Sequence, residues 1–308
     1  MAMSLQRLNS VFTSGLLLCF LLSVVRGACA DEGVRRALII CGHPGNAEYR
    51  TVFVENINRI RTALTTTWTF SDEAIQILFG TVAMQQDGEP VPDHSDRPAT
   101  LDDLRAIVKD VQQTLKPEDS LWIMIIGHAY FDGRHAWLNL AGPDPNETDL
   151  GQIFQDLHCR ECVFWLTTSL SGRFVRPLAR TGRVIISATD VSGESESTLF
   201  PTALERILSH PPKRSEFDID QSGDLSLLDL YLAIYRDVAQ QYLQKNILLT
   251  EHAQLEDNGD GRGREVQQYY FPEELGGRLR PGAKPVIRQG EVDGARAAGI
   301  RLNFSEKE

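Results

Sequence analysis

Ser120-Leu121-Trp122-Ile123-Met124-Ile125-Ile126-Gly127-His128 is the stretch on which the fold turns. After Ser120 it is apolar at every position, without polar alternation, and a glycine ends it. A strand reads this way when both of its faces are covered. Working outward, Arg36 to Cys41 (RALIIC) is a second such run and leads into Gly42-His43-Pro44-Gly45. Ala74 to Phe79, Cys162 to Leu166 and Arg183 to Ala188 are further strands. Helical stretches lie between them. Thr51 to Leu64 spaces Val52, Val54, Ile57, Ile60 and Leu64 on one side, and Thr100 caps a helix through Leu104, Ile107, Val108, Val111 and Leu115. Phe200 to Leu208 is another. Strands alternating with helices predict an α/β fold, a mostly parallel sheet with helices on both faces. Functional residues of such sheets gather on loops after the strands. Three loops qualify: Gly42 to Gly45, Gly127 to Tyr130, and Thr167 to Gly172.

The 308 residues carry a net charge of −11, with 42% hydrophobic and 24% charged residues. That composition excludes global disorder and fibrous repeats. Its acidity argues against a nucleic-acid partner, which needs a basic surface. Residues 1–30 read as a signal peptide: Arg7, the apolar run Gly15 to Val25, then Arg26-Gly27-Ala28-Cys29-Ala30 ending in a small-x-small pattern. The expectation is a secreted or periplasmic protein cleaved near Ala30, with a lipid anchor on Cys29 as the lesser reading. Eleven apolar residues are too few to span a bilayer, and no later run does so. Cleavage leaves Cys41, Cys159 and Cys162, an odd number. Cys159 and Cys162 read as a small disulfide or as two packed thiols.

Residues 31–212 form the α/β domain on this reading, and 213–270 a helical extension. Within the extension, Asp218-Ile219-Asp220-Gln221-Ser222-Gly223-Asp224-Leu225-Ser226-Leu227-Leu228-Asp229 matches a twelve-residue EF-hand loop. Its oxygen donors for a calcium ion (Ca2+) are Asp218, Asp220, Ser222, the Asp224 carbonyl, Ser226 through water, and Asp229. Gly223 stands at the sharp turn. The final Asp in place of Glu shortens the last arm, and Pro211-Pro212 interrupts the entering helix. The exiting helix, Leu225 to about Leu243, carries an apolar stripe toward the sheet. Glu256-Asp257-Asn258-Gly259-Asp260-Gly261 has EF-like spacing at its start and then loses it, so a plain turn and a degenerate cation site both remain open. Residues 271–308 are charged and glycine-rich, expected to be flexible in part.

A strand ending in Gly127-His128, followed about forty residues later by one ending in Ser169-Leu170-Ser171-Gly172, resembles the caspase and legumain-like (hemoglobinase-type) peptidases. Phe174-Val175, Val184 to Thr189, Phe200 and Thr250-Glu251-His252 add to the resemblance, which covers roughly 36–209 and is closest in kind to bacterial legumain-like proteins. It implies a caspase-like fold, His128 as general base, a nucleophile at position 169, and a peptide or protein ligand. The chain departs from that pattern by carrying Ser169 where the family has cysteine, and Ala129 after the histidine. A hydroxyl ionises far less readily than a thiol, and serine hydrolases usually add a carboxylate to orient the histidine. Asp132 is the nearest candidate. Three readings follow: a non-catalytic homologue that binds, a peptidase using a Ser169/His128 dyad, and an accidental resemblance in which His128 is a structural loop residue. Gly42-x-x-Gly45 lacks the lysine and third glycine of phosphate-binding loops and reads as a turn. Asn146 and Asn303 begin glycosylation sequons.

Overall fold

A computed structural model describes residues 33–81, 83–84, 90–192, 197–271 and 292–304. Six strands form one sheet: β1 (Arg35–Cys41), β2 (Ile75–Phe79), β3 (Ser120–Ile126), β6 (Glu161–Leu166), β7 (Arg183–Ser187) and β8 (Gln254–Glu256). Their order is β2-β1-β3-β6-β7-β8. The first five run parallel, with Ala37 beside Trp122 and Trp122 beside Val163. β8 closes the edge antiparallel to β7, with Leu255 opposite Ile186. β4 (Ala129–Phe131) and β5 (Ala136–Leu138) make a separate hairpin directly after His128.

The unbroken apolar strands follow from burial on both faces. Ala37, Ile39 and Cys41 enter one core, while Leu38 and Ile40 enter the other. β3 divides the same way, with Trp122, Met124 and Ile126 on the first side and Leu121, Ile123 and Ile125 on the second. Side chains alternate along a strand, so a run that feeds two cores has no polar position to give up.

Helices α1 (Ala47–Thr66), α5 (Phe200–Ser209) and α7 (Leu227–Gln244) cover the first face. Helices α2 (Leu101–Thr114), α3 (Glu147–Ile153) and α4 (Gly172–Leu178) cover the second. A one-turn helix, α6 (Arg214–Phe217), precedes α7, and α8 (Ala295–Gly299) lies near the C-terminus. Thr100 caps α2 as its sequence position predicts, accepting the Asp103 N–H at 3.0 Å. α1 begins earlier than its apolar spacing indicates, because Asn46 accepts the Tyr49 N–H and fixes the start.

The C-terminal extension is not set apart: Glu32–Glu308 is one compact unit, and α7 is buried along nearly its whole length against the sheet. Residues 292–304 are not a loose tail, since Ala297, Ile300 and Leu302 are buried in the first core and α8 packs on α7. Cys41, Cys159 and Cys162 are free thiols, with Cys159 donating to the Glu161 carbonyl at 3.3 Å. Among the described residues no helix is long and apolar enough to cross a membrane. The signal-peptide reading of residues 1–30 lies outside the described residues, as do 85–89 of the polar loop and 272–291 of the tail.

Candidate functional site

The sheet reverses its winding between β1 and β3, because β2 lies outward of β1 and β6 outward of β3. A crevice forms outside the carboxyl ends of strands at such a point. β3 delivers His128 there through Gly127, whose φ of +126° favours glycine. The His128 Nε2 lies 3.1 Å from the Pro44 carbonyl of the loop after β1. A carbonyl only accepts, so Nε2 is the donor in this contact. Tyr49 packs edge-on to the ring at 4.6 Å between centroids, and Phe53 lies at 5.3 Å. Gly42 permits the close approach of the β5–α3 loop: a Cβ there would meet the Asn139 carbonyl at 1.7 Å. The Gly42–Gly45 turn is therefore a packing device.

β6, the neighbour of β3, delivers Ser169 to the same rim. Leu170 adopts a left-handed φ of +57°, and Ser171 bonds the Thr189 backbone N–H at 3.0 Å, anchoring the turn. Gly172 fits because a side chain there would collide with the Asp190 carbonyl. Ser169 is 3% exposed, and its hydroxyl donates to the Ala129 carbonyl at 3.2 Å. No hydrogen bond joins Ser169 to His128 among the described residues; each points to a backbone carbonyl of a different loop. Asp132, the nearest candidate for orienting His128, is engaged elsewhere. Its carboxylate accepts the N–H groups of Arg134 and His135 and the Trp137 indole at 2.7–2.8 Å, closing the β4–β5 hairpin. Those bonds hold the carboxyl down at about 2. The two residues named from sequence thus follow adjacent parallel strands, with no hydrogen bond between them among the described residues.

The acidic loop is the second site. Asp218, Asp220 and Asp229 bring carboxylate oxygens within 4.8 Å of one another. Asp218 accepts the Ser222 and Gly223 N–H groups, and Asp220 also accepts that of Ser222, so the chain folds back around them. Gly223 takes φ +90° at this turn. The Ser222 hydroxyl donates to the Asp224 carbonyl at 2.9 Å. Asp229, in the first turn of α7, accepts from the Ile219 and Asp220 N–H groups and from Ser226. Burial raises its carboxyl above the usual range. Ser226 is the N-cap of α7 in a reciprocal box with Asp229. The donor set is all hard oxygen, three of the groups being carboxylates, which suits the chemistry of a calcium ion.

Sequence reasoning missed what braces this loop. The Leu227 N–H donates to the Ile300 carbonyl at 2.9 Å and the Leu302 N–H to the Leu225 carbonyl at 2.8 Å, a two-residue ribbon from the far end of the chain. Arg301 also pairs with the Asp224 carboxylate at 2.8 Å. The apolar-polar-apolar order of Ile300-Arg301-Leu302 was the available signal. The second acidic loop is closed by hydrogen bonds and ion pairs of its own. Asp257 accepts the Gly294 and Ala297 N–H groups, capping α8, and Arg264 bridges Asp293 and Asp260. Compared with protein-family models and with the curated proteins, the chain matches none.

Proposed function

We propose that this is an exported calcium-binding protein whose α/β domain is kin to the caspase and legumain-like peptidases and engages peptide ligands with its cutting chemistry impaired. The observation that carries it is the convergence of Asp218, Asp220 and Asp229 on one point, within a loop whose turn glycine and Ser222 stand where an EF-hand needs them. Asp218, Asp220, Asp229, Ser222 and the Asp224 carbonyl would hold the ion. Bound there, it supplies positive charge that offsets three neighbouring carboxylates. Asp218 and Asp229 belong to opposite ends of the loop, so whatever holds both ties α6 to α7. The EF-hand likeness lies in the loop and in α7, since the entering helix is a single turn. Export rests on the leader-like residues 1–30 alone.

What supports the kinship is the placement of Gly127-His128 and of Ser169 to Gly172 after adjacent parallel strands. What supports impaired chemistry is the hydroxyl itself: nearly sealed, donating to Ala129, and without a carboxylate-backed histidine to take its proton. The mature chain is expected to melt at a higher temperature in calcium. A site that binds only the folded state adds about 2.7 kcal/mol at a hundredfold excess over Kd. An unchanged melting temperature at millimolar calcium contradicts the reading. An activated phosphonate is expected to leave Ser169 unlabelled. Labelling that disappears in Ser169→Ala would instead establish the alternative, an active serine-using endopeptidase with a Ser169/His128 dyad.

A further inference from the structure

Beside the Ser169 turn, two adjoining cavities of about 500 and 390 Å3 share Glu147, Arg173 and Arg176 in their walls. Arg134, from the β4–β5 turn, and Arg262, from the loop after β8, complete the smaller one. Arg180 reaches the larger. We infer that this groove binds an acidic peptide segment, with the arginines receiving its carboxylates. The inference rests on the reading of the strand-end rim as a peptide-binding rim and names the ligand chemistry that rim prefers.

Several arginines are held by carboxylates, Arg36 by Asp119, Arg61 by Asp72, Arg97 by Asp110 and Arg264 by Asp293. Among the described residues, Arg134, Arg173, Arg176 and Arg262 form no ion pair, and the buried Nε of Arg173 has no hydrogen-bond partner. Among the described residues, Glu147 is the one carboxylate lining the groove, and it is already held by the His135 ring at 3.0 Å and the Ala136 N–H at 2.9 Å. Four unpaired guanidinium groups around one groove are a local surplus in a chain with 42 acidic and 31 basic residues.

Arg173 lies over the Phe131 ring, 3.8 Å from its centroid, so its planar fork is ordered before any ligand arrives. Carboxylates suit such forks, which can grip both oxygens. Val175 and Val191 add an apolar wall for neighbouring side chains of an extended ligand. Nucleic acid fits less well. The protein's overall negative charge repels a long polyanion, and Arg173 covers the face of Phe131 on which a base would stack.

The test is fluorescence anisotropy on the mature chain with two labelled decapeptides, one carrying four glutamates and the other glutamines at the same positions. The glutamate peptide is expected to bind at least tenfold tighter, and to weaken as salt rises and shortens the range of the attraction. The double variant Arg176→Glu, Arg262→Glu alters exposed side chains and is expected to lose at least tenfold in affinity with an unchanged circular dichroism spectrum. Lys109→Glu on α2 is the control and keeps full affinity. Equal binding of both peptides, or indifference to the double reversal, overturns the acidic preference alone. If neither peptide binds, the peptide-binding reading falls with it. Tighter binding of a labelled oligonucleotide that the same double variant abolishes overturns the choice of ligand.

Discussion

Glu251 shows how one side chain sets local structure and pH response together. α5 begins at Leu199 and Phe200 without a side-chain cap of its own, and the Glu251 carboxylate accepts both N–H groups from across the chain. The Tyr242 hydroxyl donates to it as well. Although these bonds favour the charged form, burial outweighs them and pushes the carboxyl up to about 7. A carboxyl raised in the folded state binds a proton there that the unfolded chain has already lost. Its contribution to stability is complete below about 4.5 and is lost as pH rises through about 7. Urea unfolding is therefore expected to show stability falling from about pH 5 to pH 8, with Glu251→Gln reducing that fall by about 3 kcal/mol. Identical slopes for parent and variant contradict this. The same scale explains what was hidden at the rim. His128 and Ser169 stood out from the sequence by type and spacing, yet their partners are the Pro44 and Ala129 carbonyls, backbone groups that carry no sequence signal.

At the scale of elements, the C-terminal residues act as a strap on the acidic loop. Leu302 and Ile300 are buried, and their backbone groups pair with Leu225 and Leu227 on either side of the α7 cap. Leu302→Ala is expected to cost 2–4 kcal/mol, about the usual range for a buried leucine, and to loosen the loop that follows α6. Denaturant unfolding, with hydrogen exchange at Leu227, reads both effects; unchanged protection at Leu227 would show that the strap does not brace the loop. The central strands were legible because burial on two faces leaves an unbroken apolar run. β8 was not, since three residues at a sheet edge carry no periodicity. The strap was missed for a similar reason: glycine-rich, charged surroundings masked a short alternating segment. Asn146 also changes meaning here, because its side chain caps α3 by accepting the Thr148 and Asp149 N–H groups, and a glycan there would compete with the cap.

For the whole molecule, the two sites lie on one compact unit, and their legibility differs for a physical reason. The acidic loop is contiguous, so twelve residues in order reveal it. The arginine groove draws on the β4–β5 turn, α4 and the loop after β8, and no window of sequence contains it. Total charge misled in the same direction, since an acidic balance conceals a local basic surplus. Strand order places the rim at the point where the sheet reverses its winding, and α7, which follows the acidic loop, is buried in the first core beside α5. Calcium binding is the central claim. Its most direct test is isothermal titration of the mature chain with calcium, beside Asp218→Ala and Asp220→Ala. One saturable site is expected in the parent, at least tenfold weaker in each variant. A parent that gives no calcium heat over a range of temperatures, or variants that bind as the parent does, would contradict it.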